Sequence, residues 1–168
     1  MRLLRIEHAI QTCERHLASV SPPDPEVEVF LTSYLLVTTY SEYCRTILDL
    51  VAHRVASLDD PAVAGFVQYA AGRILRSFRL SDLSDFLGRF GPDSKKAFSR
   101  AVLNRPAHLA YDRIMRKRHD VAHDDGTLMT FREFKRAYRA SARVLDAFAV
   151  ALGCVQPPAP TTSHTTQD

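Results

Sequence analysis

The sequence predicts an all-α fold, a single helical bundle built on one long central helix, and three observations carry that expectation. Apolar residues recur at alternating spacings of three and four over long stretches, which is the period of one helical face. The chain has only six glycines, with no recurrent Asn-Gly or Asp-Gly turns between alternating Val, Ile and Thr such as hairpins use. Aspartate followed by proline punctuates it twice, at Asp24-Pro25 and Asp60-Pro61, joining an N-cap side chain to a residue suited to the first helical turn. With 168 residues, 46% of them apolar, there is material for one sizeable core and too little for two. One helical domain is therefore expected over 1–153, followed by a tail over 154–168.

A first helix is expected from about Leu3 to Val20, closed by Ser21-Pro22-Pro23. The long helix starts at Asp24-Pro25 and meets no Pro or Gly until about Ser57. Its Phe30, Tyr34, Val37, Ser41, Cys44, Leu48, Val51 and Val55 keep helical three-four spacing. Asp60-Pro61 opens a third helix reaching about Phe78, after which Ser81 and Gly91-Pro92 punctuate shorter pieces. Asn104 and Pro106 open the next, with an apolar stripe of Ala107, Tyr111 and Ile114 that continues through Arg118 to Val121. Asp124-Asp125-Gly126 should end it. Thr130-Phe131-Arg132-Glu133 forms a capping box for the last helix, which Gly153 should stop. In that helix Phe131, Phe134, Tyr138, Ser141, Leu145, Phe148 and Leu152 make a narrow stripe suited to bundle packing. The final segment combines Pro157, Pro158 and Pro160 with Thr, Ser and Gln and has no aromatic residue, a composition that favours disorder.

Charge is unevenly distributed, although the formal total is only +3. From Asp24 to Asp60 seven acidic residues face two basic ones, whereas from Arg105 to Arg143 ten basic residues face five acidic. The second half thus offers the phosphate-facing surface. Arg116, Lys117, Arg132, Lys135, Arg136, Arg139 and Arg143 fall there, either as contacts to an RNA backbone or as the solvated face that any helix needs. The three cysteines, Cys13, Cys44 and Cys154, are odd in number and lack Cys-x-x-Cys spacing, so neither a disulfide framework nor a thiolate metal site is implied. Glu7, His8, Gln11 and Glu14 interrupt any signal-peptide core, and no apolar run reaches membrane-spanning length. The expectation is a cytoplasmic chain that makes no membrane contact and needs no cofactor.

The densest chemistry lies in Arg118-His119-Asp120-Val121-Ala122-His123. Here a permanent cation, two imidazoles and a carboxylate fall within six residues near a helix end. A guanidinium on the inward stripe is costly unless it is paired or lines a polar cleft, or snorkels to solvent from the helix end. RNA cleavage by internal attack needs a base for the 2′-hydroxyl, an acid for the departing 5′-oxygen and positive charge on the phosphorane-like transition state. Imidazole exchanges protons near neutral pH, and guanidinium matches phosphate oxygens with a bidentate fork. Such a scheme requires no metal.

The Arg118-to-His123 segment resembles the Arg-x4-6-His motif of the HEPN superfamily, here with Arg-x4-His spacing. The surrounding order is similar to ribosome-associated and toxin-like members: a helical bundle, the motif ending the penultimate helix, a short turn and a basic final helix. The likeness covers most of Asp24 to Gly153. It implies a symmetric homodimer that brings two motifs into one cleft, and endoribonuclease activity leaving a 2′,3′-cyclic phosphate. It implies Arg118 and His123 as the catalytic pair, with His119 at the motif's polar position in a supporting role. Asp120 would orient an imidazole. An antitoxin or nucleotidyltransferase partner is compatible with the resemblance.

Two other readings use the same letters. His119-Asp120-x-x-His123 mimics the His-Glu-x-x-His zinc motif, but aspartate reaches a zinc-bound water poorly and only Asp124 or Asp125 stands nearby as a third ligand. A non-enzymatic binding bundle is the third reading, with the acidic first half and basic second half as complementary surfaces. Glu42 and Arg45, three apart, are expected as an exposed ion pair, while His53, His108, Tyr43 and Tyr111 are expected to be packing or surface residues.

Overall fold

The computed structural model describes residues 1, 3–20, 22, 24–102, 105–123 and 129–155, with the side chains of 105 and 117–123 excepted. The described residues form α1 (Leu4–Ser19), α2 (Pro25–Val55), α3 (Pro61–Ile74), α4 (Leu80–Gly88), α5 (Pro92–Val102), α6 (Arg105–His123) and α7 (Phe131–Ala151), with no strand among them. None of these helices is long and apolar enough to cross a membrane.

The helix starts follow the local chemistry of the sequence. The Asp24 carboxylate accepts from the Glu26 N–H at the head of α2, and Asp60 accepts from the Ala62 and Val63 N–H groups at the head of α3. Both aspartates thereby satisfy donors that have no intrahelical partner. The break expected near Ser81 falls earlier: α3 stops at Ile74, and Ser81 lies inside α4. The intervening turn passes through Phe78 at φ +51°, and the Tyr111 hydroxyl donates to the Phe78 carbonyl at 2.8 Å.

The 31-residue α2 packs against α1, α3, α6 and α7, while α7 packs against α2, α5 and α6. All seven residues of the expected α7 stripe are buried. Phe148 meets Phe86 of α4 and Phe98 of α5, with ring centroids 6.4 and 6.2 Å apart. Burying each such ring contributes about 1.5–3 kcal/mol. In α2 the stripe named from the sequence is not the buried one. Val51 and Val55 are buried as expected, but Phe30, Tyr34 and Val37 are 72%, 51% and 43% exposed, and Leu35, Leu36, Thr39, Tyr43 and Ile47 are buried instead. The helix is apolar on more than one side, so three-four spacing alone could not select its inward face.

Two polar arrangements tie the bundle together. Tyr43 of α2 stacks on Tyr111 of α6 at 5.7 Å, and its hydroxyl lies 2.6 Å from Ser141 Oγ of α7. Ser141 donates to the Tyr138 carbonyl, so the Tyr43 hydroxyl donates to Ser141. Burial raises both phenol pKa values from their ordinary range. Glu42 is buried, not exposed as expected, and its carboxylate accepts from Arg5 of α1 at 3.0 Å and from Arg45 at 2.7 Å. Order also extends to Cys154, whose N–H donates to the Ala149 carbonyl and whose thiol donates to the Leu50 carbonyl. No disulfide joins the three cysteines.

Candidate functional site

Helix α6 is continuous from Arg105 to His123, so Arg118, His119, Asp120 and His123 share one uninterrupted helical segment. From Arg118 to His123 that segment advances about 7.5 Å along the axis. The side chains of Lys117, Arg118, His119, Asp120 and His123 lie outside the described residues, and so does the turn expected at Asp124-Asp125-Gly126.

The surface that leads up to this segment is described, and it is concave. A cleft of about 790 Å³ opens between α4, α5 and α6. Its α6 wall carries His108, Asp112, Met115 and Arg116; Arg79 and Ser84 face it from the α4 side, Ser99 from α5. On α6 three polar residues stand one turn apart. The Asp112 carboxylate lies 3.5 Å from His108 Nε2 and 3.6 Å from the Arg116 guanidinium, so one half-buried acid holds two basic groups along the wall. Arg79 has no carboxylate partner among the described residues. The Ser84 and Ser99 hydroxyls likewise have no hydrogen-bond partner among them. Leu80, Val102 and Met115 supply buried apolar surface to the same cleft. Arg116 thus lines a cavity, with its side chain 78% exposed.

The α4 wall is held in place by the strained turn before it. Tyr111, anchored in the core by its stack on Tyr43, fixes the Phe78 carbonyl, and this presents Arg79 at the head of α4. Asp82 accepts from Ser77 Oγ and from the Arg79 N–H, which satisfies a donor at the start of α4.

The other expected binding residues are divided by the fold. Arg132, Arg136, Arg139 and Arg143 are exposed on α7, at spacings of four, three and four, and none has a carboxylate partner among the described residues. They form one basic stripe about 16 Å long. Lys135 is set apart from it: half-buried, it pairs with Glu14 of α1, and its ammonium lies 5.1 Å from the centre of the Phe131 ring. Its charge is used in joining α7 to α1. None of the α7 residues lines the cleft.

His108 and Asp112 were set aside or overlooked by sequence reasoning. Their signal was the regular spacing of His108, Asp112 and Arg116, a polar row on a helix whose other faces are apolar or basic. The contribution of Arg79, Ser84 and Ser99 had no comparable signal, because it depends on how α4 and α5 pack beside α6. Fold and site together define an all-α protein with a basic, hydroxyl-lined cleft against the helix that carries Arg118 to His123. No family model, curated protein or solved structure matches this chain.

Proposed function

We propose that this protein is a metal-independent endoribonuclease of the HEPN type, acting as a homodimer with Arg118 and His123 as its catalytic pair. The observation that carries this reading is the cleft along α6, whose row of His108, Asp112 and Arg116 continues at helical three- and four-residue spacing to His119 and His123. In the reaction a basic imidazole takes the proton of an RNA 2′-hydroxyl, and the 2′-oxygen attacks the adjacent phosphorus. The bond from phosphorus to the 5′-oxygen breaks, and an acid group protonates the leaving oxygen. The products are a 2′,3′-cyclic phosphate and a free 5′-hydroxyl, so atoms and charge balance without a metal. Arg118 neutralises the phosphorane-like transition state, His119 supports it, and Asp120 orients an imidazole.

The exposed arginine stripe on α7 supports a role in holding the RNA backbone. Two exposed apolar rows support an association with a second copy: Phe30, Tyr34 and Val37 on α2, and Val63, Phe66 and Tyr69 on α3. A chain of this kind fits a toxin or defence effector restrained by an antitoxin or nucleotidyltransferase partner.

The test is cleavage of a mixed-sequence RNA by wild type, Arg118→Ala and His123→Ala, with EDTA present and product ends analysed. Cleavage by wild type alone, leaving cyclic-phosphate ends, is the expected result. Activity that EDTA abolishes and zinc restores would replace this reading with zinc hydrolysis through His119 and His123. A folded wild type that cleaves nothing would leave a partner-binding module.

A further inference from the structure

We infer that the cleft between α4, α5 and α6 is an RNA subsite, which seats one nucleotide of the strand flanking the scissile phosphate. This deepens the proposed nuclease reading and rests on it for the identity of the ligand. The cleft's own chemistry supplies the argument.

The first point is charge. Arg79, the residue that precedes α4, and Arg116 of α6 face one cavity, with His108 beside them. The one carboxylate among the lining residues, Asp112, is already engaged by His108 and Arg116, so the space it borders is not left acidic. Arg79, with no acidic partner among the described residues, is the group with donors to spare for a phosphate oxygen.

The second point is composition. Hydroxyls on Ser84 and Ser99 have no partner among the described residues, and they suit the oxygens of a ribose or phosphate. Leu80, Val102 and Met115 provide an apolar surface on which the face of a base can rest. Guanidinium, hydroxyl and apolar surface together are the three environments that a nucleotide presents for recognition. A volume of about 790 Å³ accommodates such a unit, since small-ligand sites typically occupy about 300–1,000 Å³.

The third point is position. The cleft reaches Arg116, and helix α6 continues from there through the Arg118–His123 segment. Those residues lie about 3 to 10 Å farther along the axis. A strand seated in the cleft therefore leads towards the segment proposed to cleave it.

The test separates binding from cleavage by using a fluorescein-labelled 2′-O-methyl RNA decamer of mixed sequence, which lacks the attacking hydroxyl. Its affinity is measured by anisotropy for wild type, Arg79→Ala, Arg79→Lys and Ser84→Leu, with circular dichroism confirming that each variant is folded. Arg79→Ala should weaken binding about tenfold, the usual effect of losing a hydrogen bond to a charged group. Ser84→Leu should weaken it by filling the cleft, and Arg79→Lys should restore part of the loss. Unchanged affinity in both Arg79→Ala and Ser84→Leu would overturn the subsite, as would a wild type that does not bind the decamer. AMP binding with the same sensitivity to the variants, without decamer binding, would make the cleft a free-nucleotide site and overturn the strand assignment. If the decamer binds as expected while unmodified RNA is never cleaved, the subsite stands and the nuclease reading fails.

Discussion

Thr32 and Thr39 lie on the buried side of α2, and neither hydroxyl has a hydrogen-bond partner among the described residues. Each thus loses water on folding without a replacement, a penalty of about 1–3 kcal/mol for a buried polar group. Thr39→Val keeps the branched shape and removes the unsatisfied oxygen. Urea denaturation should show the variant equal to wild type or more stable by up to about 1 kcal/mol; a clear loss of stability would reveal a hydroxyl that is satisfied after all. Tyr111 gives the opposite case. Its hydroxyl holds the Phe78 carbonyl in the turn where Phe78 has φ +51°. Tyr111→Phe keeps the stack on Tyr43 but leaves that carbonyl unpaired and the left-handed turn less restrained. A cost of about 1–3 kcal/mol is expected, and an unchanged denaturation midpoint would show that the turn holds itself.

At the scale of the element, the start of α7 gathers several local contacts. Thr130 and Glu133 cap each other's N–H groups at 2.9 and 3.2 Å, Glu28 of α2 accepts from the Phe131 N–H at 2.9 Å, and Arg113 of α6 pairs with Glu133 at 3.2 Å. The Thr130 N–H, and then Arg113, lower the Glu133 carboxyl pKa below the usual carboxylate range. The sign follows from linkage: a carboxylate favoured in the folded state contributes stability above its unfolded pKa and loses that contribution as pH falls through the lower folded one. Glu133→Gln retains an acceptor for the cap but not the charge. The stability gap between wild type and Glu133→Gln should be largest near neutral pH and close as the solution is acidified below about pH 4. A gap independent of pH would assign the effect to shape rather than charge. This cap was legible in Thr130-x-x-Glu133, whereas its links to Glu28 and Arg113 were not, because both partners are remote in sequence.

For the whole molecule, the apolar surface left on α2 and α3 matters most. Phe30 and Phe66 are 72% and 70% exposed, and α3 has only Ala71 among its buried residues although most of its sequence is apolar. Burying several such side chains against a second copy would stabilise association by about 1.5–3 kcal/mol for each ring fully covered. Light scattering of wild type should give twice the 18.9 kDa chain mass. Phe30→Glu and Phe66→Glu should shift the protein towards the single-chain mass and reduce RNA cleavage with it, because the proposed site is built from two motifs. A wild type that is monomeric at all concentrations, with cleavage linear in protein, would remove the composite site.

The sequence by itself determined the helical class, the capped starts of α2, α3 and α7, and the inward stripe of α7. These depend on spacing and on contacts within a few residues, which the chain order already contains. It also placed Arg118 to His123 on one helix, since no breaker interrupts Arg105 to His123. Tertiary structure alone decided which apolar face of α2 turned inward, because helical period constrains spacing but not direction when several faces are apolar. It buried Glu42 between Arg5 and Arg45, and it committed Lys135 to Glu14. It also brought Arg79, Ser84 and Ser99 across from His108, Asp112 and Arg116. A cleft is formed by elements distant in sequence, and its chemistry exists only once their packing has set them side by side.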